Sequence, residues 1–164
     1  MASTDVSRDS STQGEALGID LKIEVVSLPV ADVERSKRFY QGLGWRLDAD
    51  FSNGDDFRVV QLTPPHSRCS IAFGKGIGTA EPGSSKRLEA VVGDIEAARQ
   101  DLLSRGVEVG EVFHIGRPGE APQPGPDPER ASYRSYATFS DPDGNSWLLQ
   151  EITTRLPGRT WEDE

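Results

Sequence analysis

An α+β fold of two tandem β-α-β-β-β modules is predicted by three features of this 164-residue chain. The first is an internal repeat. Pro29-Val30-Ala31-Asp32-Val33-Glu34 lies over Val91-Val92-Gly93-Asp94-Ile95-Glu96 at an offset of 62 residues, since 94 − 32 = 62. Gly44 lies over Gly106 at the same offset, and the helical stripe Val33, Ser36, Tyr40 lies over Ile95, Ala98, Leu102. A match of strand, cap, helix and stop over the 17 positions from Pro29 to Trp45 dictates a duplicated architecture. The second feature is a switch of apolar period, from two in the strands to helical spacing and back. The third is the stretch Phe139–Glu151, where Asp141-Pro142-Asp143-Gly144-Asn145 is dense turn chemistry between two β-rich runs.

Each element has a local reason. Leu21–Val30 alternates as a strand. Asp32 is a good N-cap, with Glu34 placing negative charge in the first helical turn. The helix runs to about Gly42, and Gly44 stops it. Trp45–Phe51 and Phe57–Leu62 read as strands around the turn Asn53-Gly54-Asp55-Asp56. Pro64-Pro65 breaks the chain, and Arg68–Gly74 is a fourth strand. A glycine-rich linker, Gly74–Ser85, leads to the second module. There the capped helix is followed by strands at Val107–Ile115, Tyr133–Ser140 and Ser146–Ile152. The expected boundaries are a disordered leader over 1–20, one domain over 21–152 with modules 21–74 and 86–152, and a C-terminal tail over 153–164. Trp161 in that tail docks on a neighbouring surface or frays with the end.

The modules differ by an insertion, Gly116–Arg130. Pro118, Pro122, Pro124, Pro126 and Pro128 are expected to deny it a helix or a sheet ladder. It is either a lid or a solvated loop.

Composition narrows the partners. Eighteen Lys and Arg against 27 Asp and Glu give a net charge of −9, which argues against nucleic acid and anionic membranes. No apolar run approaches the roughly 20 residues of a membrane span. Residues 1–20 have neither the basic start nor the apolar core of a signal peptide. The single cysteine, Cys69, fits a reducing cytoplasm and a partly buried strand position.

The duplicated modules, the Asp-capped helices, the Phe39-Tyr40 pair and the closing Asp-Pro-Asp-Gly-Asn together resemble the vicinal oxygen chelate superfamily. That group holds the glyoxalases, bleomycin-resistance proteins and extradiol dioxygenases. The resemblance covers about Leu21–Ile152 and implies two modules curled into a cup-shaped mixed sheet that holds a ligand. It also implies a divalent metal in catalytic members, held by His and Glu. Carried over residue by residue, the ligand positions fall on Val25, Arg87, Leu148 and a place near Ser70 or Ala72. None supplies the usual donor, and Arg87 repels a cation. Glu24 and Glu151 have the wrong strand parity, whereas Glu89 keeps it. His66 and His114 share no short metal-binding spacing. No metal and no cofactor is therefore expected.

Parity puts Val25, Ser27, Arg87, Glu89, Val91, Leu148 and Gln150 on the cup side, a mostly apolar wall with a few polar groups. Arg87 and Glu89 face one way and could pair, or sit at a solvated rim, or hold an anionic or carbonyl group. Arg134 or Tyr136 could add a cation or a phenol. The candidate ligand-binding residues are Ser27, Arg87, Glu89, His114, Tyr136 and Gln150, and no catalytic residue is assigned. Trp45, Phe139 and Trp147 read as core. The expected function is a metal-free binding protein of the bleomycin-resistance type for a small organic ligand, with a homodimer suggested by the sheet edges. The alternative is a superfamily enzyme (a lyase, isomerase or dioxygenase) working without metal, through Glu89, His114 or Tyr136, or with an atypical metal set.

Overall fold

Aspartate opens both helices and glycine closes them in the computed structural model, whose described residues are 21–157. Asp32 caps α1 (Val33–Gly42), its Oδ1 accepting from the Arg35 amide at 3.0 Å. Asp94 caps α2 (Ile95–Ser104), its Oδ1 accepting from the amides of Glu96 and Ala97, each at 3.1 Å. Beyond each helix the chain passes through a left-handed glycine, Gly44 at φ 84° and Gly106 at φ 81°. The closing bonds repeat as well. Trp45 N donates to Tyr40 O at 3.3 Å and Gly44 N to Gln41 O at 2.9 Å; Val107 N donates to Leu102 O at 3.1 Å and Gly106 N to Leu103 O at 3.0 Å. Both ends are Schellman closures, which satisfy carbonyls the helix leaves free.

The first sheet contains β1 (Val25–Ser27), β2 (Arg46–Asn53), β3 (Phe57–Thr63) and β4 (Ser70–Lys75), in the order β1-β4-β3-β2. The second contains β5 (Leu88–Val92), β6 (Phe113–His114), β7 (Gln123–Pro124), β8 (Ser135–Ser140) and β9 (Ser146–Glu151), in the order β5-β9-β8-β6-β7. In each sheet the module's first strand runs parallel to its last (β1 with β4, β5 with β9), and the other pairs are antiparallel. Among the described residues no strand pair joins the two sheets. They meet through their helix-bearing faces. Val60, Leu62, Ile71 and Phe73 of the first sheet share one buried cluster with Ala137, Phe139, Trp147 and Leu149 of the second, around Tyr40 and Ile95. Each of the Val, Leu, Ile and Phe side chains taken from water contributes about 1.5–3 kcal/mol before ordering entropy is counted.

The closing turn between β8 and β9 fastens the modules together. Tyr40 Oη donates to Asp141 Oδ2 at 2.9 Å, and Asp141 Oδ1 accepts from the amides of Asp143 and Asn145. Asn145 Nδ2 donates to Pro29 O at 2.9 Å, while its Oδ1 accepts from Ser85 N at 3.1 Å. Asp143 accepts from Ala31 N and from Arg35 Nη2. A turn chosen for its backbone geometry thus also carries the cross-module hydrogen bonds.

Three expectations need correction. The strand expected over Leu21–Val30 ladders only at Val25–Ser27, flanked by single bonds from Ser70 N to Glu24 O and from Leu28 N to Ala72 O. The strand expected over Val107–Ile115 is interrupted: Val109 makes one bridge to Phe139, and pairing resumes at Phe113–His114. The proline-rich insertion does contribute a ladder, because Gln123–Pro124 pairs with β6. Pro124 is tolerated there because β7 is the outermost strand, and Gly125 N supplies a bond to Val112 O at 2.8 Å. The expected leader over 1–20 and the position of Trp161 lie outside the described residues.

Candidate functional site

Each sheet has a face turned away from the helices. On the first, the register sets Val25 beside Ser70 and Ser27 beside Ala72. On the second it sets Glu89 beside Leu148, Val91 beside Gln150, and Thr138 beside Leu148. The parity expected from sequence is the parity of the ladder.

A half-open hollow of about 310 Å³ lies on this outer face of the second sheet. Leu148 of β9 and Ile115 form part of an apolar wall with the rings of Phe113 and Tyr136. Those rings are register partners on β6 and β8, stacked with centroids 5.4 Å apart and planes 21° apart. Trp147 reaches the hollow from the core side. The polar lining is Arg87, Thr138 and Ser146.

Arg87 stands just before β5 at φ 57°, a conformation that L side chains seldom adopt. Its amide donates to Ser146 Oγ at 2.8 Å, which holds the residue against the start of β9. Among the described residues its guanidinium has no hydrogen-bond or ion-pair partner. The pairing with Glu89 considered from sequence does not form; Glu89 is exposed and does not line the hollow.

Tyr136 lines the hollow with its ring, but its hydroxyl donates to Tyr133 O at 2.6 Å. Gln150 is buried and outside the lining; its Nε2 donates to Tyr133 O and to Tyr136 Oη, both at 3.2 Å. Tyr133, at φ 71°, thus gathers the tyrosine and the glutamine on one carbonyl. His114 neighbours Phe113 on β6, and its Nδ1 lies 2.8 Å from Gly125 O. Ser27 is exposed on the first sheet, away from this hollow. Arg134 faces Asp127 at 3.9 Å. Phe113, Ile115, Thr138 and Ser146 were not among the sequence candidates. Thr138 was within reach of parity, two residues after Tyr136; Phe113 and Ile115 were not, because the strand carrying them is irregular.

A second hollow adjoins the first, sharing Thr138 and Ser146, and is lined by Glu108 and Asp141. The positions carried over for metal ligands, Val25, Arg87 and Leu148, lie on the outer faces, and Leu148 and Arg87 line the first hollow. Among the described residues no group of three His, Cys, Asp or Glu side chains could hold a metal ion. Among them too, no helix is long and apolar enough to cross a membrane.

The insertion ends in an ionic knot beneath β9. Arg130, at φ 50°, donates from Nε to Glu151 Oε1 at 3.0 Å and from Nη2 to Glu151 Oε2 at 2.5 Å. It also reaches Glu96 at 3.0 Å and Asp94 at 3.3 Å. Glu151 in turn accepts from the Ile95 amide at the start of α2. The guanidinium beside it holds the Glu151 carboxyl below its ordinary range, against the opposing effect of burial. One end of the insertion is therefore anchored to a strand that carries the hollow.

Comparison with known proteins agrees with this architecture. A model of the bleomycin resistance protein-like N-terminal family matches residues 23–61. No curated protein matches. Among solved structures, TnmS3, an antibiotic binding protein from Streptomyces sp. CB03234, is 31% identical with a TM-score of 0.62, covering 83% of this chain and 98% of its own. A glyoxalase/bleomycin resistance protein from the same organism is 30% identical with a TM-score of 0.59, covering 79% and 100%. A superfamily member from Sphaerobacter thermophilus DSM 20745 is 27% identical with a TM-score of 0.57, covering 80% and 98%. Duplicated modules, sheet order and these likenesses together make the chain a member of the glyoxalase/bleomycin resistance protein/dioxygenase superfamily.

Proposed function

We propose that this protein binds a small organic molecule in the hollow on the second sheet, without the metal that catalytic superfamily members use. One observation carries the reading: a mostly apolar concavity containing a cation, Arg87, that no described residue neutralises. Arg87 is exposed, so its guanidinium is hydrated in the free protein and available to pair with a ligand whose apolar part covers the adjoining wall. The antibiotic-binding character of the Streptomyces relative supports the same direction. Acid–base catalysis is less well supported. The lining contains no carboxylate, imidazole or thiol, and the one phenol in it has already given its hydrogen to Tyr133. The binding unit is taken as residues 21–152, with the insertion 116–130 beside the opening, and the compartment as the cytoplasm.

We also propose a homodimer. Val25, Phe51 and Val91 are exposed on the outer faces, and β1 and β5 each leave one edge unpaired.

A screen of thermal stability against metabolites and aromatic antibiotics tests the binding reading, because a ligand specific to the folded state raises the melting point. Each hit is then incubated with the protein and followed by mass spectrometry. An unchanged molecule supports the binder; a chemically altered one overturns it in favour of an enzyme.

A further inference from the structure

We infer that the molecule held in the hollow is a compact aromatic acid, its ring against the Phe113–Tyr136 wall and its anionic group on Arg87. This rests on the binding reading above.

The only charge in the lining is positive, and each of its other polar groups can donate. Arg87 presents a guanidinium with no partner among the described residues. Ser146 Oγ accepts from the Arg87 amide, and its own hydroxyl hydrogen has no acceptor among the described residues. The Thr138 hydroxyl, also in the lining, makes no hydrogen bond among them. The one acceptor-capable hydroxyl besides these, on Tyr136, is occupied by Gln150 and Tyr133. Such a set favours an oxygen-rich anionic group and offers no counter-charge to an ammonium. Composition does not explain it, because the chain carries 27 acidic residues against 18 basic ones. The planar fork of arginine matches a carboxylate with two parallel bonds.

The surroundings set the direction. The adjoining hollow carries Glu108 and Asp141, so an anion is repelled from that side and drawn to Arg87. The stacked pair of Phe113 and Tyr136 supplies the aromatic surface along which a ring lies. A volume of about 310 Å³ is at the low end of ligand sites, which suits a small fused ring. Arg87 also holds a left-handed backbone that a glycine would adopt without strain, the kind of local cost that functional positions retain.

Three probes of one shape and different charge test this by titration calorimetry on the full chain: naphthalene-carboxylate, naphthalene-carboxamide and naphthyl-methylammonium. The carboxylate is expected to bind about tenfold or more tighter than the other two, as a charge-assisted bidentate bond requires. Added salt should weaken the carboxylate and leave the carboxamide unchanged. Arg87→Gln should bring the carboxylate to the level of the carboxamide without moving the carboxamide itself. Equal binding of carboxylate and carboxamide, or a preference that survives Arg87→Gln, overturns the charge assignment and leaves the ligand site standing. Failure of all three probes to bind overturns this inference, and the binding reading is then decided by the thermal-stability screen. If the variant does not fold, the salt series on the unsubstituted protein decides the same point: a carboxylate affinity indifferent to salt overturns the charge assignment.

Discussion

Tyr40 and Asp141 are 101 residues apart in sequence and 2.9 Å apart in space, the phenol of the first helix donating to the carboxylate of the closing turn. Trp147 Nε1 donates to the same phenol oxygen at 3.1 Å, so one buried hydroxyl serves both modules. Removing it by Tyr40→Phe leaves the indole N–H without a partner and Asp141 Oδ2 with only the bond from Asn145 Nδ2 at 2.8 Å. The expected loss is about 1–3 kcal/mol of unfolding free energy, read by urea denaturation. A loss near zero would mean that the bonds of this hydroxyl add nothing to the packing and to the other cross-module bonds.

The same phenol makes a pH prediction. Burial first, and then the charge of Asp141, raise the Tyr40 pKa above its ordinary value of 10.0. A group whose pKa is higher in the folded state contributes stability that is complete below its unfolded value and falls away as pH rises beyond it. Stability should therefore decline above about pH 10, and more steeply in the wild type than in Tyr40→Phe. Parallel profiles for the two proteins would show that Tyr40 has no part in the alkaline limit.

At the acid end the knot of Arg130 and Glu151 takes over. Glu151 is 1% exposed and Arg130 38%, so solvent screens the pair only from the arginine side. Arg130→Gln is expected to cost roughly 1–3 kcal/mol at neutral pH, the lower part of that range reflecting the screening. The Glu151 pKa is lowered in the folded state, so its contribution is complete above the unfolded value of 4.5 and is lost as pH falls through the folded one. The difference between wild type and Arg130→Gln should shrink over that acid range. A difference independent of pH would assign the cost to packing of the arginine stem.

Much of the fold was legible because its determinants are local and repeated. Asp32 and Asp94 announce helix starts by chemistry that acts within one turn, and Gly44 and Gly106 announce the stops by a φ that other residues resist. Strand parity then placed Arg87, Leu148 and Gln150 on one face. What parity could not supply was the competition for each polar group. Gln150 looked free in sequence, yet it is spent on Tyr133 and Tyr136, contacts fixed by a left-handed tyrosine that no pattern signals. Phe113 and Ile115 were hidden for a different reason: the chain between Val109 and Phe113 leaves the ladder, so counting by two from Val107 fails. The insertion's strand was missed because five prolines outweighed the single edge position where one is harmless.

The repeated stops allow a paired test. Gly44→Ala and Gly106→Ala both place a side chain at φ above 80°, and a left-handed alanine costs roughly 1–2 kcal/mol. An added methyl at Gly106 meets nothing within 4 Å, while at Gly44 it comes 3.4 Å from Arg105 Nη1, a movable side chain. The two losses in thermal unfolding should therefore be nearly equal. A much larger loss at Gly44 would show that Arg105, which also donates to Gly42 O, is fixed more firmly than its exposure implies.

The proposed homodimer makes the last prediction. Phe51 is 57% exposed on the outer face of the first sheet, where it meets Phe57 with ring centroids 6.3 Å apart. Val59 is its register partner, so three apolar side chains stand together on a face that no helix covers. Single exposed apolar residues are ordinary, but a contiguous group beside the free edge of β2, at the opposite end of the sheet from β1, is what a partner surface looks like. A second copy is the occupant proposed because β1 and β5 expose equivalent edges in the two repeated sheets, which suits a twofold contact. Sedimentation velocity over a dilution series should show a concentration-dependent dimer. Phe51→Asp, which buries a charge if the face is covered, should shift it to monomer while leaving the melting point of the monomer within about 0.5 kcal/mol in stability terms. A wild-type protein that sediments as monomer at every concentration removes the dimer, and a Phe51→Asp variant that still dimerises moves the contact to another face.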